Sequence, residues 1–269
     1  MDILNLFDHA FIQRALIAGS CIAILCSILG VFLVLRRLSL IGDGLAHVTF
    51  GAVALGLFLK SYPLYLAIPI VLLSSMGVLK LTEKARLYGD AAIGIVSSLG
   101  IAGGVLLASM AGGFNVDLFS YLFGNILSIS TTEVVVSAAL SLILLAVIRL
   151  FYQELLSVTF DEEAARASGV KTKRINAVLV LLTALTVVLA TKMVGVMLVS
   201  ALLILPSVTA LQFAKGFKAT MIFSSVAGLL SVVLGIFISF VADMPTGAVI
   251  VLLNFLFFVS AFAIKRLHS

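Results

Sequence analysis

The sequence predicts an all-α polytopic membrane protein, and three observations carry that expectation. The 269 residues are 62% hydrophobic and only 11% charged, whereas a soluble domain is about half apolar and about a quarter charged. The apolar residues fall in long runs almost free of charge, each near the ~20 residues that cross a hydrocarbon core. The basic residues gather between alternate runs, as they do in cytoplasmic loops. This composition leaves room for about eight or nine spans and none for a large soluble domain or a second catalytic module. The net charge of +5 therefore marks membrane sidedness and not a nucleic-acid partner.

The first run, 15–35, is too long for a signal-peptide core and has no clear small-residue cleavage site after it. Cys21 and Cys26 lie within it, about 140° apart around a helix, and read as small buried hydrophobes rather than a metal or redox pair. The next run, 38–59, is interrupted by Asp43 and His47. Further runs cover 61–79, 91–110, 134–148, 175–191, 193–214, 219–242 and 244–264. That makes nine spans. The runs 175–191 and 193–214 meet at Lys192 almost without a loop, so one of them is broken or tilted, and a count of eight is the alternative. The stretch 114–132 is too apolar for a simple loop, and its part 121–127, YLFGNIL, reads as interfacial or re-entrant.

With nine spans, 14 of the 17 Lys and Arg residues fall on one side and Arg14, Lys60 and Lys192 on the other. The richer side is then cytoplasmic, the N-terminus outside and the C-terminus inside. The longest hydrophilic stretch, 152–174, is cytoplasmic, and the turn 243–247 is outside. The whole chain, 1–269, reads as one transmembrane domain.

The most informative segment is RRLSLIGDGLAH, residues 36–47. Asp43 and His47 are spaced i, i+4 and share a helix face. If the helix starts just after Arg37, His47 lies about 15 Å along it, half of a ~30 Å hydrocarbon core. A carboxylate at that depth costs about 2.5–3.5 kcal/mol, and an intramembrane ionisable group usually marks a cavity or an ion pathway. Asp plus His suits a borderline divalent metal. In the blander alternative Asp43, flanked by Gly42 and Gly44, caps the helix and His47 bonds a backbone carbonyl.

The second segment is TFDEEAARASGV, residues 159–170. Thr159 and Glu162 form a capping-box pattern. Asp161, Glu162 and Glu163 favour a helix N-terminus, Ala164 continues the helix and Gly169 stops it. Two turns of helix are marginal alone in water, so this helix is expected to pack on its own chain or on a partner, with Phe160 a candidate apolar anchor.

Elsewhere the sequence lacks a GxxxxGK[ST] phosphate loop and an HExxH pair, so the chain has no ATP-hydrolysing motif of its own. His9 and His268 sit near the ends, and one membrane histidine cannot complete a closed zinc site. Weak, transient binding suits a transporter that must release its cargo. Asn125 is a candidate gate residue or a turn residue. Lys192 is expected to snorkel to the interface, Pro206 to kink a span and Asn254 to bond across helices.

Residues 36–47 resemble the RRxSLxGDxLxH signature of the zinc, manganese and iron permeases of ABC importers. Residues 195–206, GVMLVSALLILP, look like that family's GxLLVxALLIxP segment, and Pro245-Thr-Gly247 is similar to its PTG. FDEEAARASGV stands where the family carries its ATPase-coupling helix. One departure is Gly44, where the family commonly has Thr or Ala, and a looser helix start beside Asp43 is the expected consequence.

The resemblance implies a type II ABC importer fold like that of the cobalamin importer. It implies a homodimer of permeases, two ATP-binding cassette subunits and an extracytoplasmic metal-binding protein, in a bacterial plasma (inner) membrane. Asp43 and His47, on their shared helix face, are expected to contact the metal in transit, and residues 152–174 form the expected coupling segment. No permanent cofactor is implied. The divalent ion is the transported substrate, zinc ahead of manganese or iron. A membrane-embedded metalloenzyme using Asp43 and His47 is the alternative from another class. It would need further ligands and a nucleophile or base, and neither is found.

Overall fold

Arg37 turns the chain back on itself. It takes the left-handed backbone region, φ 57°, while the Leu38 N–H donates to the Leu33 carbonyl (2.8 Å) and the Arg37 N–H to that of Val34 (3.1 Å). That pair of bonds is the Schellman closure of a helix C-terminus. Lys60 does the same at φ 53°, with the Ser61 N–H on Gly56 and its own on Leu57. Glycine is the usual residue at such positions. With Arg and Lys there instead, no glycine signals these left-handed turns in the sequence.

The computed structural model describes residues 10–84, 88–111, 121–122, 124, 129–196 and 198–268. Asn125 and most of 121–127 lie outside them. Among the described residues the regular structure is helical: α1 Ala10–Leu35, α2 Ile41–Phe58, α3 Pro63–Lys84, α4 Gly89–Met110, α5 Thr131–Leu150, α6 Tyr152–Phe160, α7 Glu162–Ala167, α8 Thr172–Val194, α9 Val199–Ala210, α10 Phe217–Ala242 and α11 Thr246–His268.

Eight of these, α1–α5, α8, α10 and α11, are long and apolar enough to cross a membrane. The chain is therefore a multi-pass helical membrane protein. The span expected over 193–214 is instead α9, twelve residues, or about 18 Å of helix. Gly195, at φ 93°, ends α8 before it, and Gly216, at φ 118°, precedes α10. α9 is apolar but shorter than the eight helices long enough to cross a membrane.

Those ends are defined by side-chain contacts. At one, Arg36 meets Glu162, Phe217 packs on Phe32 and Phe160, and Lys265 donates to Gln212 (3.3 Å). At the other, Phe11 packs on Phe240, and Lys192 pairs with Glu133.

α1, α2 and α8 are the most buried spans. α2 and α4 approach backbone to backbone. A Cβ on Gly100 would stand 2.8 Å from the His47 carbonyl oxygen, and one on Gly51 would stand 2.6 Å from that of Gly100. Small residues at membrane helix contacts permit this approach. Asn254 bonds across helices as expected, donating to Ser231 Oγ (2.8 Å). Pro206 lies inside α9, where Ser207 Oγ donates to the Ser27 carbonyl of α1 (3.2 Å).

Candidate functional site

The Schellman turn at Arg37 uses up the residues that were expected to begin the second span. α2 therefore starts at Ile41, and His47 lies about 9 Å from its start rather than about 15 Å. The His47 carbonyl stands against Gly100, midway along α4. Asp43 falls in the first turn but makes no side-chain capping bond, so the capping alternative is not what holds it.

Asp43 and His47 do share a face. His47 Nε2 stands 3.6 Å from Asp43 Oδ2, with side chains 23% and 43% exposed respectively. Two donors bound to one tetrahedral ion at about 2.1 Å lie about 3.4 Å apart, close to this spacing. Ser200 Oγ of α9 reaches Asp43 Oδ1 at 3.5 Å. The described residues hold no group of three or more His, Cys, Asp and Glu side chains around one point. One chain thus offers a carboxylate, an imidazole and a hydroxyl.

Gly44 does not loosen the helix. A Cβ there would stand 2.5 Å from Ile93 Cγ2 of α4, so the departure from the family pattern goes with the close α2–α4 contact. Likewise a Cβ on Gly42 would stand 2.5 Å from Leu203 Cδ1. The glycines flanking Asp43 let α4 and α9 close on it.

The coupling segment is two helices. α6 ends at Phe160, and Thr159 Oγ1 donates back to the Leu155 carbonyl within it (2.6 Å). The expected Thr159–Glu162 capping box is not formed. Asp161 is the N-cap, its Oδ1 accepting from the Ala164 N–H (2.9 Å), and it leaves Glu162 free to face the bundle. Glu163 lies in the first turn of α7. Gly169, at φ 89°, closes α7 with the Val170 N–H on Ala165, as expected.

The partner that α7 needs comes in part from its own chain. Arg36 Nη2 lies 3.4 Å from Glu162 Oε2 and donates to Asn176 Oδ1 (2.8 Å). Asn176 Nδ2 donates to Glu162 Oε1 (3.2 Å). Burial pulls the Arg36 guanidinium below its ordinary range, and Glu162 opposes that pull. Phe160 is 68% exposed and rests edge-on against Phe217, ring centroids 5.9 Å apart.

At the opposite end Lys192 does not simply snorkel. It pairs with Glu133 and lies 5.8 Å from the Tyr121 ring centre. Tyr62 donates to the same carboxylate (2.5 Å), and Glu133 also closes the capping box of α5 with Ser130.

Sequence reasoning missed Ser200, Arg36, Asn176 and the Glu133 cluster. Ser200 and Arg36 lie inside the two motifs, but their partners are 157 and 140 residues away.

This geometry is that of a helical transport protein with a polar pair set into its bundle and a short capped helix at its basic end. The chain belongs to the ABC 3 transport family, which it matches over residues 8–265. It is a membrane-spanning permease subunit, not an enzyme.

The manganese import system permease protein ScaB of Streptococcus gordonii is 36% identical over 260 residues, 97% of this chain and 93% of that one. The high-affinity zinc uptake system membrane protein ZnuB of Haemophilus influenzae is 32% identical over 254 residues, 94% of this chain and 97% of that one. The solved structure of PsaBC from Streptococcus pneumoniae in complex with Fab is similar with a TM-score of 0.87 and 34% identity, covering 97% of this chain and 94% of that one.

Proposed function

We propose that this chain is the permease of an ATP-driven importer of divalent metal ions, and that Asp43 and His47 contact the ion in transit. The observation that carries this is the 3.6 Å approach of His47 Nε2 to Asp43 Oδ2, on a helix wedged between α4 and α9. The names of ScaB and ZnuB support the cargo class. The imidazole and the near-tetrahedral donor spacing favour zinc. Manganese is the second reading, supported by the 36% identity to ScaB and by the oxygen donors of Asp43 and Ser200.

The working assembly proposed is two copies of this chain, two ATP-binding cassette subunits and an extracytoplasmic metal-binding protein. The basic end faces the cytoplasm, with the N-terminus outside and the C-terminus inside. α7 docks on the ATPase with exposed Phe160 as anchor, and Arg36 ties that helix to the bundle. A zinc site usually has four ligands, and a two-fold axis repeats each residue. Two Asp43 and two His47 at a shared axial pathway would supply four.

The test is metal-dependent ATPase stimulation of the reconstituted complex, ion by ion. Stimulation by zinc at the lowest concentration is expected. Manganese acting first would install the second reading, and no response to any divalent ion would defeat the metal assignment. For the shared site, the expected result is one ion per dimer with the two His47 side chains close. Histidines tens of ångströms apart would refute sharing and leave transport untouched.

A further inference from the structure

α1 is among the most buried spans, yet one stripe of it is uncovered: Ile17 is exposed, and Cys21, Ile24 and Ile28 are half-buried. The spacing of four, three and four residues is one helix face. α1 packs on both α5 and α10, but α5 and α10 do not pack substantially on each other. The gap between them is a groove in two joined parts of 610 and 380 Å³, which share Ile28, Met221 and Ile222.

The groove changes character along its length. Away from the basic end its walls are almost wholly apolar, including Ile24, Val226 and Leu229. Its mouth at the basic end holds Arg149 and Lys218. Both are exposed, and among the described residues neither forms an ion pair. From Lys218 to Leu229 is about 16 Å along α10, one leaflet of a ~30 Å hydrocarbon core.

We propose that this groove binds an anionic phospholipid of the leaflet at the basic end, its phosphate between Arg149 and Lys218 and one acyl chain along Ile28, Met221 and Val226. Three features select this occupant. The apolar track is one leaflet long and begins at two cations, which is the layout of an anionic lipid. Basic pockets between membrane helices on the cytoplasmic side recognise such headgroups. A second copy of this chain fits less well, because a two-fold contact here would set the Arg149 and Lys218 of each copy against their equivalents.

The experiment is native mass spectrometry of the full chain, titrated with dioleoyl phosphatidylglycerol or dioleoyl phosphatidylcholine. The expected result is tighter binding of phosphatidylglycerol, on the order of tenfold. R149Q/K218Q should remove that preference. The charge-matched control K80Q/R266Q, at the same end but off the groove, should keep it, as should the conservative K218R. V226W, which fills the track without touching charge, should weaken both lipids. Equal binding of the two lipids by the native chain would overturn the proposal. So would a preference that survives R149Q/K218Q, or one lost equally in the control. If glycerol 1-phosphate competes the lipid off at equal concentration, the site takes a free anion and the proposal fails.

Discussion

At the basic end, Arg36, Glu162 and Asn176 hold a helix of six residues against the bundle. At the opposite end, Lys192, Glu133 and Tyr62 hold the ends of three long helices to one another or to the turn before them. Both are networks of one cation, one carboxylate and one neutral partner, yet they do different mechanical work. The network of Lys192, Glu133 and Tyr62 closes the bundle on itself. The basic network attaches a part that has little core of its own, so a force applied to α7 reaches α1 and α8 through a few polar bonds. If α7 docks on the ATPase as proposed, a pull on it would reach the bundle through Arg36.

The largest effect is expected at the closed end. K192A leaves Glu133, whose side chain is only 13% exposed, without its cation, and a buried carboxylate stripped of its partner costs about 3 kcal/mol or more. Denaturant unfolding in detergent should show that loss. The double variant E133Q/K192M should lose less than the two single changes added together, and strict additivity would mean the pair is not coupled.

Next comes R36A. It should leave insertion intact and lower ATP-driven uptake on the order of tenfold, about 1.4 kcal/mol of coupling, while ATP hydrolysis continues. Uptake and hydrolysis falling together would make Arg36 a folding residue and erase the contrast between the ends.

A smaller effect is expected from D161A, which removes the cap of α7 and costs about 1 kcal/mol locally. Hydrogen exchange at the Ala164 amide should speed up while the spans stay protected.

The smallest effect is in pH. Burial, helped by the bond to Glu133, holds the Tyr62 phenol above its ordinary range. The folded state therefore keeps a proton that the unfolded chain releases near pH ~10. That stabilisation is complete below pH ~10 and lost as pH rises through the folded value. Melting temperatures from pH 9 to 11 should fall more steeply for the native chain than for Y62F.

The spans were largely legible because charge-free runs of about 20 residues leave a polypeptide in a bilayer few alternatives. The i, i+4 placement of Asp43 and His47 was legible for the same local reason. The start of α2 at Ile41 was not, because the reversal before it puts a left-handed arginine where glycine is the expected signal. α9 was misjudged because hydropathy reports that a stretch is apolar and not how much of it is helix. The cap at Asp161 rather than Thr159 turned on Glu162, whose side chain faces Arg36 and Asn176 instead of closing a box. Ser200, Arg36 and Asn176 make their contacts across more than a hundred residues, beyond any local pattern.

The most direct test of the metal pathway is uptake by two single variants, D43A and H47A, each reconstituted with the ATP-binding subunits and supplied with zinc or manganese. Loss of uptake in each, with unchanged membrane insertion and assembly, is the predicted result. Normal uptake by both would contradict the assignment of Asp43 and His47 as the residues that meet the ion.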